Sequence, residues 1–426
     1  AACSHVVDHA TSTFARSERL PGADSGVDDH LDEVEAAHGA VSAEGRFLSV
    51  QADAACRLLL CTYARVSDHS PLSVCHPSRS SPVLVYVTTV SGTPERAEEA
   101  MMHVMDQNDR TAARVKGCLL GGAVGDALGA PVEFFSLANI RRRWREGIAD
   151  YLEAYGRVGA ITDDTQMTLF TAEGVVRAYV RQVERGICSP RAVIHHAYVR
   201  WLVTQGVKPR AEVAAMEPWP DGWLIGERRL WARRAPGKTC LTALAETVTL
   251  GEAARNDSKG CGTIMRVAPV GLVCQPRGDE VRSPAYELGA DASVVTHGHP
   301  AAIVAGGSFA LLIAFLVEGL ELRRAVDALM AFLAHVAGSD VVTRALGGAL
   351  KLADEGGDPT AEAVERLGGG WVAEEALAIA LYCALRAESF EHGVCLAVNH
   401  SGDSDSTGSL TGQLLGTAWG HEVIPA

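Results

Sequence analysis

The sequence predicts an all-α protein, a compact set of packed helices, and three observations lead there. From about Val115 onward apolar residues recur at helical spacing, strand-like alternation is almost absent, and the breaks fall at clusters of Gly, Pro and Asp. Residues 1–110 lack this pattern and are set apart as an N-terminal extension. Residues 111–426 form the expected all-α domain, with no internal repeat of solenoid period.

The extension comes first in the chain. Residues 1–100 contain no Met and no Lys but six His and four Cys, and "LPGADSGVDDHLDEVEAAHGA" is polar and turn-rich. "PVLVYVTTV", residues 82–90, is its one convincing strand. Met101, Met102 and Met105 then mark the change in composition. Three readings stay open: a poorly ordered extension, sequence upstream of a natural start at one of those methionines, or a small separate domain. No function is assigned to this region.

The helices follow in order. "GCLLGGAVGDALGAPVEF", residues 117–134, has the small residues that close packing needs, with Glu133 at its end after Pro131. "TQMTLFTAEGVVRAYV" aligns Met167, Phe170, Gly174 and Val175 or Ala178 in one stripe. "SPRAVIHHAYVRWLV" begins with Ser189 at an N-cap and Pro190 at the first helical position. "AAIVAGGSFALLIAFLV", residues 301–317, falls short of the roughly 20 residues of a spanning helix and is interrupted by Gly306 and Gly307, so it reads as a buried core helix. "WVAEEALAIALYCALRA" places Val372, Ala376, Leu377, Ala380, Leu381 and Leu385 on one face. "DSTGSLTGQLLGTAWG" again spaces small residues regularly.

Composition narrows the function. A hydrophobic fraction of 47% and a charged fraction of 21% are those of a globular protein. The formal net charge is −14, and the densest basic cluster, Arg141, Arg142, Arg143 and Arg145, reads as a solvated helix face, so nucleic acid is not expected as a general partner. No signal peptide or membrane anchor is implied by the residues present. Eleven scattered cysteines without a CxxC pair read as thiols of a reducing compartment, and the expected location is cytoplasmic.

Polar islands interrupt the helices. In "ITDDTQMTLF" Asp163 and Asp164 stand side by side at a helix entrance; a cap needs one carboxylate, and the second adds repulsion unless a cation neutralises both. "NHSGDSDSTG" carries a second pair, Asp403 and Asp405, among hydroxyls. Such a set is all hard oxygen donors, without thiolate, and favours Mg²⁺, Mn²⁺ or Ca²⁺ over zinc; four carboxylates make two ions reasonable. In "NDSKGCGTIMRVAPVGL", Gly260 and Gly262 flank a turn ahead of a helical segment, where freed N–H groups suit a phosphate. Asp126 reads as a buried hydrogen-bonding residue, and His297 and His299 in "THGHP" as capping or core residues.

Together "GCLLGGAVGDALGAPVE", "TDDTQMT", "KGCGTIMRVAP", "THGHP" and "NHSGDSDSTG" resemble the ADP-ribosylglycohydrolase family, in the family's motif order, over about residues 115–420. The resemblance implies an orthogonal helical bundle with a central cleft holding two Mg²⁺ or Mn²⁺, and hydrolysis of an N- or O-glycosidic bond at C1″ of ADP-ribose. It implies Thr162, Asp163 and Asp164 as metal ligands from one side, and Asp403, Asp405 and Ser406 from the other, Ser406 standing where the family usually has Thr. It further implies Ser258, Gly260, Gly262 and Thr263 around the diphosphate and His297 beside the ligand. Glu133, Asp163 and Asp164 are then the catalytic candidates, with Glu133 or Asp163 taking the proton of the attacking water. The partner would be an ADP-ribosylated protein or small ADP-ribosyl conjugate, and the chain a monomer. The rival reading from another class is a non-catalytic ADP-ribose- or nucleotide-binding or toxin-immunity protein on the same fold. A metal-dependent phosphohydrolase is disfavoured by the motif match.

Overall fold

The computed structural model describes residues 94–425 apart from 217–219, 275 and 277–282, with side chains from residue 109 onward. The strand expected at residues 82–90 lies outside the described residues.

In chain order the helices are α1 (Pro94–Gly129), α2 (Leu137–Arg143), α3 (Asp163–Arg185), α4 (Pro190–Thr204), α5 (Ala211–Ala214), α6 (Lys238–Ala245), α7 (Ala268–Val273), α8 (Pro284–Val294), α9 (Pro300–Val317), α10 (Leu322–Leu333), α11 (Asp340–Asp354), α12 (Ala361–Glu365), α13 (Ala373–Leu385), α14 (Phe390–Val398) and α15 (Ser404–Trp419). Among the described residues the sheet structure is one antiparallel pair of two-residue strands, β1 (Glu153–Ala154) and β2 (Arg157–Val158), so the all-α expectation holds. The boundary expected at 110/111 falls inside the continuous helix α1.

Helix α9 forms the centre of the core. By length and composition it is apolar enough to cross a membrane, yet 83% of it is buried inside the bundle, where α8, α7, α10 and α13 cover it. Gly306 and Gly307 do not interrupt it. They let α8 approach: a Cβ on Gly306 would lie 2.0 Å from Ser293 Oγ, and one on Gly307 would lie 2.8 Å from the Tyr286 ring. Ser189 and Pro190 begin α4 as expected, although the Ser189 side chain makes no capping hydrogen bond. His299 caps α9, its Nδ1 accepting from the Ala301 N–H at 3.0 Å.

The helix pair that positions the site is α1 with α15. Gly117, Gly121, Gly125 and Gly129 recur every four residues along one face of α1, opposite Gly416, Gly412, Gly408 and Ser404. A Cβ on any of these four α1 glycines would meet a carbonyl oxygen of α15 at 2.0–2.3 Å. Interior glycines each cost a helix about 0.5–1 kcal/mol against alanine, and here the cost is offset by backbones packed in direct contact. Because the paired numbers run in opposite directions, the helices are antiparallel. The end of α1 therefore lies beside the start of α15. Ala130 N–H closes α1 on Asp126 O at 2.9 Å, Pro131 prevents continuation, and the turn presents Glu133 toward the first residues of α15.

Candidate metal centre

The first acidic island is held from below by Asp126. Its Oδ1 accepts from Thr162 Oγ1 at 2.8 Å and from Thr162 N–H at 2.9 Å, and its Oδ2 accepts from Thr165 N–H at 3.0 Å and from Thr165 Oγ1. Asp126 thus satisfies free donors at the start of α3 from another helix, which accounts for a carboxylate deep inside α1. Thr162 is the N-cap of α3, accepting from Asp164 N–H at 3.3 Å. Capping and clustering of carboxylates therefore coexist, because Asp163 and Asp164 occupy the first turn and both are buried. Asp163 is fixed by the segment ahead of α6: its N–H donates to Arg234 O at 3.2 Å, and its Oδ2 accepts from Gly237 N–H at 3.2 Å. That segment turns at Ala235, a non-glycine residue at φ +49°.

The second island is threaded under a glycine loop. Gly402, at φ +144°, lies so near Gly369 that a Cβ would stand 2.0 Å from its carbonyl oxygen, and Asp403 N–H donates to that oxygen at 2.9 Å. Asp403 is the N-cap of α15 but its side chain caps nothing; its Oδ2 accepts from the Cys261 thiol instead. Asp405 Oδ1 accepts from Ser406 N–H at 2.9 Å. Thr407, the hydroxyl next to Ser406, turns away and bonds Ala397 O at 2.8 Å and His400 Nε2 at 2.9 Å. Ser406 is therefore the hydroxyl of this pair left near Asp403.

The islands converge. Glu133, Asp403 and Asp405 each place an oxygen within 4.8 Å of the others. Asp405 also acts electrostatically on Asp163 and Asp164. All five acids are buried, and Glu133 Oε2 and Asp164 Oδ1 have no hydrogen-bond partner. Burial first, and then the Asp405 carboxylate, pushes Glu133 up to about 10 and Asp126 up to about 7. Burial likewise holds Asp163, Asp164 and Asp403 well above the usual carboxylate range. Without a cation such a cluster retains protons. Buried, partnerless oxygens on mutually repelling carboxylates are the donor set a divalent ion fits, since its charge replaces those protons.

Two N–H groups of the glycine loop already have partners. Among the N–H groups expected to be free for a phosphate, that of Gly260 donates to Ser258 Oγ at 3.4 Å and that of Cys261 to Trp371 O at 3.1 Å. The segment after it, Cys261–Arg266, is a 3-10 helix in which Thr263 is wholly buried, with its Oγ1 donating to Gly260 O at 3.4 Å. His297 packs on Gly260 and Gly262: an added Cβ on Gly260 would lie 3.4 Å from its Nε2, an ordinary contact, whereas one on Gly262 would lie 2.9 Å from Cys240 Sγ and 3.2 Å from His297 Cε1. His297 Nδ1 bonds Thr296 Oγ1 at 2.9 Å, and burial holds the ring down to about 3, so it is neutral. Ser258 Oγ also meets Thr239 Oγ1 at 3.1 Å.

Three features escape the motif reading. Cys261 Sγ lies 2.7 Å from Asp403 Oδ2, so a thiol adjoins a set expected to be all oxygen. Phe134 and Trp371, both exposed, stack beside Glu133 with centroids 5.6 Å apart and planes 19° apart. Gly237 and Arg234 steady Asp163 from a segment that carries no acidic motif. All three depend on long-range contacts that no spacing in the sequence announces.

Comparison with known proteins agrees with this geometry. The ADP-ribosylglycohydrolase family profile matches residues 107–426. An uncharacterized protein of Archaeoglobus fulgidus is 29% identical over 307 residues, covering 71% of this chain and 87% of its own. ADP-ribosyl-[dinitrogen reductase] glycohydrolase of Rhodospirillum rubrum is 24% identical over 324 residues, covering 74% of this chain and 88% of its own. A solved structure of an ADP-ribosylglycohydrolase-related protein complex superposes with a TM-score of 0.50 at 26% identity, covering 74% of this chain and 90% of that one. With the profile spanning most of the chain, the protein belongs to the ADP-ribosylglycohydrolase family of hydrolases.

Proposed function

We propose that this chain releases ADP-ribose from a modified protein side chain or a small conjugate, by hydrolysis of the N- or O-glycosidic bond at C1″, with Mg²⁺ or Mn²⁺ at the acidic centre. The observation that carries the proposal is the convergence of Glu133, Asp163, Asp164, Asp403 and Asp405 from three separate chain segments, with partnerless oxygens on buried side chains.

Two divalent ions held by Thr162, Asp163, Asp164, Asp403, Asp405 and Ser406 would supply the charge that neutralises these carboxylates and orients a sugar diol. The residues do the rest. Ionised carboxylates close to the sugar stabilise the positive charge that grows on the ring as the bond breaks. Glu133 is favoured over Asp163 as acceptor of the water's proton, because Glu133 Oε2 is unpartnered whereas Asp163 Oδ2 is engaged by Gly237 N–H. Neutral His297 serves as a hydrogen-bonding wall of the pocket. The Ser258–Thr263 loop would contribute the Ser258 hydroxyl and its shape at the diphosphate, since two of its N–H groups and the Thr263 hydroxyl are already engaged. The described cysteines are free thiols, which supports a cytoplasmic working place. The remaining parts of the proposal are a monomer and no membrane or general nucleic-acid partner.

The test is incubation with arginine- and serine-ADP-ribosylated proteins in Mg²⁺ or Mn²⁺, measuring free ADP-ribose, beside Asp163→Ala and Asp405→Ala. Release by the parent chain and loss in both variants is expected. Full turnover in both variants, or phosphate as the product, would overturn the proposal.

A further inference from the structure

Cys261 stands apart from the other described cysteines. Cys240 faces Arg266, with Sγ 3.3 Å from Nη1, and Cys383 is enclosed by the core. Cys261, only partly buried, has Sγ 2.7 Å from Asp403 Oδ2 and also lies beside Ser406 and Asp164. Its position is fixed by backbone: Cys261 N–H donates to Trp371 O at 3.1 Å, Ala373 N–H donates to Lys259 O at 2.9 Å, and Gly260 pairs with Val372. Two further carboxylate oxygens of the acidic cluster, Glu133 Oε2 and Asp164 Oδ1, are without a hydrogen-bond partner on side chains more than nine-tenths buried, as oxygens that would face a cation are.

We propose that Cys261 is a sulfur donor to the metal centre on its Asp403 side, so that the centre has mixed oxygen and sulfur character and holds thiophilic divalent ions more tightly than Mg²⁺. The inference rests on the metal-centre reading above. Around an ion such as zinc, a thiolate sulfur and a carboxylate oxygen become neighbours; Cys261 Sγ already adjoins Asp403 Oδ2, to which its thiol donates, and an ion taking the place of that proton would draw on both atoms. A thiolate raises affinity for soft and borderline ions and adds little for Mg²⁺. On coordination the thiol proton leaves to solvent, so loading with such an ion releases a proton.

Cobalt(II) is the probe, because sulfur bound to it gives a near-ultraviolet thiolate-to-metal charge-transfer band. The full chain is loaded with Co²⁺, bound metal is measured by equilibrium dialysis, and the absorption spectrum is recorded for the parent and Cys261→Ser. The parent should show the band and Cys261→Ser should lose it, while still binding Co²⁺ with affinity reduced by at least about ten-fold. Bound cobalt without the band, or a band that survives in Cys261→Ser, overturns the sulfur assignment and leaves the metal centre standing. No cobalt bound by the parent overturns both. Should the variant fail to fold, alkylation of the parent decides by mass spectrometry: Co²⁺ should protect the Cys261 peptide, and undiminished labelling of Cys261 in loaded protein overturns the assignment.

Discussion

Gly125 and Gly408 meet backbone to backbone: a Cβ on Gly125 would lie 2.0 Å from the Gly408 carbonyl oxygen, and one on Gly408 would lie 2.5 Å from that of Gly125. Neither obstacle is a flexible side chain, so an added methyl forces α1 and α15 apart. Gly125→Ala should cost about 3 kcal/mol or more in urea unfolding, at the upper end of overpacking effects, and should weaken Mn²⁺ binding by moving Glu133 from Asp405. Gly347 is the control, with nothing within 4 Å of its added Cβ; Gly347→Ala should be neutral or stabilising by up to ~1 kcal/mol. Equal effects at the two positions would show that the glycine register does not hold the site together.

Asp126 should matter for structure before chemistry. Asp126→Ala strips acceptors from two buried N–H groups and two hydroxyls at the start of α3, a loss on the order of 2–5 kcal/mol. Denaturant unfolding measures it. A variant as stable as the parent would mean that these donors find other partners.

Stability should depend on pH through the acids. Asp126, raised from 3.8 to about 7, and Glu133, raised from 4.5 to about 10, retain protons in the metal-free fold that the unfolded chain has released. Their contribution is complete below their unfolded values and is lost as pH rises through the folded ones. Buried His195 and His297, lowered from 6.5 to about 3, act in the opposite sense, their contribution present above 6.5 and lost as pH falls. Because cations and protons compete for the same oxygens, the rise in Tm on adding Mn²⁺ should be greater at about pH 8 than at about pH 6. An equal rise at both, read by differential scanning calorimetry, contradicts the competition.

Asp405 raises each neighbouring acid, so removing its charge should separate stability from function. Asp405→Asn should stabilise the metal-free protein by on the order of 1–3 kcal/mol, while release of ADP-ribose falls at least about 100-fold. Retained activity, or a destabilised metal-free fold, would contradict this account.

Much of the fold and the acidic islands could be read from the sequence, because hydroxyls and carboxylates stand out against apolar helices. Asp163, Asp164, Asp403 and Asp405 were recognisable for that reason, and Glu133 through its motif. The burial of α3 and α13 exceeds the single stripes their patterns suggest, since both are enclosed by neighbours around most of their circumference. The glycine series on α1 and α15 were each visible, but their pairing is a three-dimensional fact. The Gly260–Gly262 turn suggested open N–H groups, whereas His297 and Trp371 occupy that space. Cys261, as a lone cysteine, carries no spacing pattern in the sequence; proximity to Asp403 gives it meaning.

The pairing of α1 with α15 joins residues 94–129 to residues 404–419, nearly 300 positions apart, and this has a consequence for biogenesis. As the ribosome extends the chain, α1 emerges early with its glycine face exposed and remains without its mate until α15 leaves the exit tunnel. At synthesis rates of roughly 5–20 residues per second that wait lasts on the order of tens of seconds, and the acidic cleft closes only at its end. Nascent chains stalled before residue 403 would thus hold most of the bundle and lack Asp403 and Asp405 altogether.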